Sequence, residues 1–157
     1  MADVIKIKPH HFVDIIAAYG TSKIPAAAHP YGHSLHTVTA KILDDIDIIL
    51  EIVLDADDIC APCRHNIDGF CDDVIDTSFR PTAPSSKGKY NLLIDTRWCE
   101  RLGFKPGSQL TARQFCEKLS VSADNIVDIY REVPAERVMQ KAARLKTGIN
   151  KFLVKNK

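Results

Sequence analysis

Hydrophobic positions change period several times along this chain, and each change predicts an element. Val4-Ile5-Lys6-Ile7 is a short β-branched, alternating run and predicts a strand. Pro9 suits the first turn of a helix, which runs to about Tyr19 and stops at Gly20. Thr21 to Gly32 carries Pro25, Pro30 and the run Ala26-Ala27-Ala28, and reads as loop. Ser34 is a candidate N-cap, after which Leu35, Val38, Ile42, Ile46 and Ile49 recur at helical spacing. The pattern then tightens to a continuous apolar run, and a second strand is expected from about Glu51 to Leu54.

Asp55 to Asp76 is acidic and irregular, and Pro81 to Gly88 is a connection. Beyond it the pattern is helical. Leu93, Ile94, Trp98, Cys99 and Leu102 share a face that ends at Gly103. Thr111-Ala112-Arg113-Gln114 is a capping box opening a helix to about Leu119. Ser122 is expected to cap a further helix through Val133. Pro134 then starts a last, basic helix bearing Lys141, Arg144, Lys146, Lys151 and Lys155. No internal repeat or second domain is visible. The expected fold class is α+β, mainly α: a small two-stranded sheet, five to six helices and an irregular cysteine loop in one domain, 1–157.

Two strands separated by two helices predict a right-handed crossover that lays them side by side and parallel. Their C-terminal ends then share one edge of the sheet. That edge brings Pro9-His10-His11 against the segment from Asp55 to Cys60, where ligand sites of such sheets tend to lie.

Composition narrows the function. Among 157 residues, 45% are hydrophobic and 26% charged, the profile of a folded globular chain. The formal charge of +1 gives no field for general nucleic-acid binding. The longest apolar stretch, around Ile42 to Leu54, is interrupted by Asp44, Asp45, Asp47 and Glu51, so no membrane span is expected. Met1-Ala2-Asp3-Val4 lacks the charge and apolar run of a secretory signal, which points to the cytoplasm. In that compartment five cysteines do not make a disulfide framework.

Their spacing points to metal, chemistry or packing instead. Cys60-Ala61-Pro62-Cys63 is a C-x-x-C pair, and Cys71 lies beyond seven intervening residues. Two such thiolates can close a chelate ring around one ion or grip two irons of a cluster. Pro62 stiffens the loop and Gly69 lets it turn back. A redox dithiol at Cys60 and Cys63 is an alternative that leaves Cys71 unexplained. A surface loop with incidental cysteines is the plainest alternative. Cys99 and Cys116 lie on apolar helix faces and read as packing.

The runs Ile5-Lys6-Ile7-Lys8-Pro9-His10-His11, Asp57-Asp58-Ile59-Cys60-Ala61-Pro62-Cys63 and Asn66-Ile67-Asp68-Gly69-Phe70-Cys71 resemble a family of short bacterial and archaeal proteins. It is catalogued as domain of unknown function number 1284, and its members are often labelled iron–sulfur binding proteins. Asp95 through Gly103 and Lys105-Pro106-Gly107 resemble the family's next helix and turn. The likeness spans residues 4 to about 119, with 120–157 as a helical extension. It implies a 4Fe-4S cluster on Cys60, Cys63 and Cys71. The family usually has a fourth cysteine three residues after the second histidine, where this chain has Asp14. Either Asp14 is the fourth ligand, or His10 or His11 is, or the position stays open to solvent or substrate. A carboxylate is a harder, weaker partner for iron–sulfur than a thiolate. A mixed Cys/His zinc site fits the same residues.

His10, His11, His33 and His36 are the candidate proton carriers, with His29 completing a group of uncertain role. His65 is either exposed or behind a ligand. Asp57 or Asp58 is expected to cap the Cys60 turn or to accept a hydrogen bond from a ligating histidine. The leading expectation is a cytosolic iron–sulfur protein with a non-cysteine or open fourth position, suited to Lewis-acid or sulfur-transfer chemistry on a small molecule. A zinc-stabilised binding module that docks a partner protein or RNA through its basic last helix is the alternative. A small electron carrier is the third.

Overall fold

Alternation in strand β1 (Val4–Ile7) places Ile5 and Ile7 on one face, and both are buried while Val4 faces out. In a computed structural model, which describes residues 4–25 and 27–155, this strand starts the core. Met1-Ala2-Asp3, read above for a secretory signal, and Ala26 of the loop lie outside the described residues, as does the Lys155 side chain.

Pro9 is the first residue of α1 (Pro9–Gly20), and Phe12, Val13, Ile15, Ile16 and Tyr19 form its buried stripe. The next helix, α2 (Leu35–Asp44), is followed by β2 (Ile49–Ile52), which pairs parallel with β1 as the crossover argument requires. The strand lies two residues earlier than expected. Ile46 is buried in the turn that ends α2 and is not helical, so the helical spacing read through Ile49 overran the element. Ser34 makes no side-chain cap; its amide instead donates to the Ile59 carbonyl at 2.9 Å.

The sheet has a third strand, β5 (Gln109–Thr111), antiparallel to β2, in the order β1-β2-β5. The cysteine loop also holds a small hairpin, β3 (Asn66–Ile67) and β4 (Phe70–Cys71). Asp68 and Gly69, with φ of 52° and 87°, are its two turn residues, the left-handed pair such tight hairpins need. The expected two-stranded sheet is therefore corrected to three strands plus this hairpin.

Helix α3 (Lys87–Leu102) buries Tyr90, Ile94, Trp98, Cys99 and Leu102, but Leu93 is turned outward. The Thr111–Gln114 capping box opens α4 (Ala112–Ser122) as expected. No helix follows from Ser122. Residues 123–133 form successive turns closed by bonds three residues apart, such as Ile129 N–H to Ile126 C=O at 3.1 Å. They still bury Ile126, Ile129 and Tyr130. The last helix, α5 (Ala135–Lys155), makes five among the described residues.

Against α1, α5 packs through two glycines. A Cβ at Gly148 would overlap the Ile16 carbonyl, and one at Gly20 would overlap the Arg144 carbonyl. Gly20 is thus a contact residue and not simply a helix stop. The fold class is α+β, mainly α. Among the described residues no helix is long and apolar enough to cross a membrane.

Candidate metal centre

The junction after β1 and the loop after β2 are stitched together by one carboxylate. Asp57, 1% exposed, accepts four hydrogen bonds. Its Oδ2 takes the Lys8 amide at 2.8 Å and His11 Nδ1 at 2.6 Å. Its Oδ1 takes the amides of Ile59 at 3.1 Å and Cys60 at 3.0 Å, which caps the Cys60 turn. Next to it, Asp58 Oδ2 accepts the Lys6 amide at 2.9 Å. Burial alone would raise the Asp57 pKa, but His11 and these donors hold it far below the usual carboxylate range. Of the roles expected of an aspartate here, Asp57 caps the Cys60 turn and also accepts a hydrogen bond from His11.

His10 is held in the same way by a residue that the sequence reading passed over. Asp95 of α3 is fully buried and accepts the His10 amide at 2.8 Å. Its oxygens lie 2.8 and 2.9 Å from His10 Nδ1. Burial disfavours an imidazolium, yet the Asp95 charge and hydrogen bond outweigh it and raise the His10 pKa above its ordinary value. With both carboxylates accepting from Nδ1–H, each ring in its neutral form keeps its Nε2 lone pair for another partner. The two rings are 4.2 Å apart between centroids.

A cavity of about 510 Å³ gathers the predicted residues. Cys60, Cys63 and Cys71 line it, and so do His10, His11 and Asp14. His33 also reaches its wall; His36 and His29 do not. His33 is held by burial and by neighbouring His29, stacked 4.4 Å away, with its pKa below the ordinary value. His36 has a buried Nδ1 with no hydrogen-bond partner. Asp14 is half-exposed on the cavity wall, and its Oδ1 pairs with Lys141 Nζ at 2.5 Å. Close packing around the carboxyl works against its ionisation, but the charge of Lys141, with that of His10, prevails and lowers its pKa.

Two further residues bear on metal binding. Lys8 is 6% exposed, and its Nζ lies 3.8 Å from Cys60 Sγ with no carboxylate ion pair among the described residues. A buried ammonium needs an anion beside it. Burial and Asp57 push the Cys60 thiol up to about 12, so the metal-free thiol is protonated and does not supply one. A metal-bound thiolate does, because coordination removes the proton. His65 sits in the cysteine loop with Nδ1 2.8 Å from Asp72. Its Nε2 is buried without a partner, beside the Tyr31 ring.

Among the described residues, one group brings three ligand-capable atoms within 4.8 Å of one another: His11, Asp57 and Cys60. Asp57 already spends both oxygens on the four donors above, so within this group it orients and His11 and Cys60 are left to bind. Cys99 and Cys116 stand apart in the core, where burial pushes their thiols up to about 11 and about 12. They are packing residues.

Comparison with known proteins returned no match to this chain, from family models, from curated proteins or from solved structures. What the site does is therefore argued from its own residues.

Proposed function

We propose that this chain is a cytoplasmic metalloprotein that carries an iron–sulfur cluster on Cys60, Cys63 and Cys71 and offers a non-cysteine position toward its cavity. The resemblance to family 1284 belongs to this proposal. The observation that carries it is the convergence of three cysteines and two carboxylate-held histidines on one cavity. The residues fit such a group in a second respect: Lys8 supplies buried positive charge beside Cys60, where a thiolate-ligated cluster concentrates negative charge.

A single tetrahedral zinc would draw its sulfurs to within about 3.8 Å of each other, from a Zn–S bond of about 2.3 Å. The preference for a cluster over such an ion rests on the resemblance to family 1284 and on the Lys8 charge beside Cys60. For the remaining position, His11 is the better-placed residue. Its Nδ1 is fixed by Asp57, whereas Asp14 is already engaged by Lys141.

An iron not held by cysteine supplies a Lewis-acidic coordination position. The chain's own residues do the rest. Asp57 fixes the His11 tautomer and the Cys60 turn together. Asp95 holds His10 so that Nε2 can give or take a proton at the cavity.

The zinc-module alternative has less support. The basic helix α5 buries Leu145, Ile149 and Phe152. It also pairs Lys141 with Asp14, Lys146 with Asp124, and Lys151 with the Tyr19 carbonyl. An electron carrier would need complete ligation and reversible reduction without a response to small ligands.

The test is iron, zinc and acid-labile sulfide analysis with a visible spectrum on protein purified without oxygen. Iron and sulfide in comparable amounts with broad visible absorption are expected. A colourless protein with about one zinc per chain overturns the cluster and promotes the zinc module.

A further inference from the structure

The cavity carries more positive charge than its own carboxylates can balance. Asp14 is taken by Lys141, and Asp73 lies 3.8 Å from Lys87. Arg80, Arg137 and Arg144 also line the wall, and among the described residues none lies within 4 Å of a carboxylate oxygen. The exposed Asp76 feels the charge of Arg80 and Arg137, but its side chain is bonded to Ser78.

Two of these arginines are held in place by aromatic rings. The Arg137 guanidinium lies 4.2 Å from the Phe79 ring centre, and that of Arg80 lies 4.6 Å from the same ring. Arg80 also stands 4.8 Å from the centre of the Tyr90 ring, while its Nε donates to the Asp76 carbonyl at 2.8 Å. Rings that cover the flat faces leave the N–H edges to bind, and such edges match a carboxylate or phosphate two bonds at a time.

Tyr90 adds an independent sign. The residue is 6% exposed and lines the cavity, and its buried Oη has no hydrogen-bond partner. A buried hydroxyl without a partner is costly, and natural proteins seldom leave one unmet without a reason. An acceptor entering the cavity would meet it after a small shift of the ring, since Tyr90 already lines the wall. The same cavity has apolar wall from Ile75, Ile94, Val133 and Val138.

We infer that this end of the cavity binds a small organic anion, its carboxylate or phosphate head on Arg80, Arg137 and Tyr90 Oη and its apolar body on the aliphatic wall. The volume of about 510 Å³ suits a molecule of that class. That the anion is what the metal acts upon rests on the metal reading above; its binding does not.

The experiment is calorimetric titration of the metal-free full chain at low salt with phenyl phosphate, phenylacetate and inorganic phosphate. One of the two organic anions is expected to bind with a Kd at or below about 1 mM. It should bind at least about tenfold more tightly than inorganic phosphate, because the apolar body contributes. Which of the two wins tells phosphate from carboxylate. The Arg80→Gln, Arg137→Gln double variant should lose about tenfold or more in affinity. Tyr90→Phe keeps the ring under Arg80 and should weaken binding several-fold with an undiminished unfolding midpoint.

Absence of binding by both organic anions overturns the inference, as does binding that the double variant leaves intact. Inorganic phosphate binding as tightly as either organic anion overturns the apolar part. Iron and sulfide analysis on a parallel sample reports separately on the metal. Anion binding without metal, or metal without anion binding, shows which of the two proposals has failed.

Discussion

One carboxylate, that of Asp57, joins His11 and Cys60: its Oδ2 lies 2.6 Å from His11 Nδ1 and its Oδ1 accepts the Cys60 amide at 3.0 Å. The orientation of a candidate imidazole ligand and the shape of the cysteine turn are therefore one mechanical unit. Asp57→Asn should damage both. The amide loses the charge that His11 faces, and its one NH2 group must meet either Lys8 N–H and His11 or the Ile59 and Cys60 amides, which are donors themselves. We expect a loss of about 2–4 kcal/mol in urea unfolding. Metal affinity should fall roughly 10–100-fold, measured by competition with a chelator.

The cysteines divide into two classes with opposite expectations. Cys60→Ser, Cys63→Ser and Cys71→Ser should each remove most of the bound iron and sulfide, because all three line the cavity. Cys116→Ala should keep the metal. It leaves a hole at a fully buried site and should cost about 1 kcal/mol of stability. Metal analysis and unfolding curves on the same four variants check this.

Gly148→Ala tests the α1–α5 contact. The added methyl group meets the backbone of Ile16, which cannot swing aside as a side chain does. The helices must separate, at a cost of about 1–3 kcal/mol, read as a lower thermal midpoint.

Arg97 pairs with Glu132 through two bonds of 2.7 Å and also donates to the Ile129 carbonyl at 2.9 Å. The hydrogen bond from Arg97 is the main reason the Glu132 pKa falls below its ordinary value of 4.5, against a smaller opposing effect of burial. A depressed carboxyl pKa means that the unfolded chain binds the proton more readily. The stabilisation is thus complete above pH 4.5 and disappears as pH falls through the folded value. Arg97→Gln should lower stability at neutral pH, and the deficit due to Glu132 ionisation should close on acidification.

Tyr90→Phe should leave the metal-free protein as stable as before, or more stable by up to about 1 kcal/mol, since it removes a buried hydroxyl with no partner. A clear loss of stability in urea would mean that the hydroxyl is bonded in solution.

Much of the frame could be read from the sequence because it follows local rules: the alternation in Val4–Ile7, Pro9 at a helix start and the Thr111–Gln114 box. The meeting of Pro9-His10-His11 with the cysteine loop followed from chain topology. The misses have physical causes. Ile46 kept helical spacing by chance while packing from a turn. A three-residue strand such as Gln109–Thr111 carries too little pattern to be seen alone. Others left a signal. Asp68-Gly69 between Asn66-Ile67 and Phe70-Cys71 has the dipeptide of a tight hairpin. Asp95 is a charged residue between Ile94 and Trp98 on a buried helix face, and only a buried partner explains it. Arg137, Lys141 and Arg144 share a helix face, and composition marks α5 as basic without revealing that this face walls a cavity.

The cavity draws its wall from residues as far apart in the chain as Lys8 and Arg144. Order of synthesis then matters. The three cysteines leave the ribosome well before α5, and at ordinary elongation rates the interval is several seconds. During that interval the thiols face water without the α5 wall, with Arg137, Lys141 and Arg144, that later lines the same cavity. If the proposed metal is bound, the cysteine loop can take it up before α5 exists, when the loop is most open, although all three cysteines stay partly exposed in the complete fold.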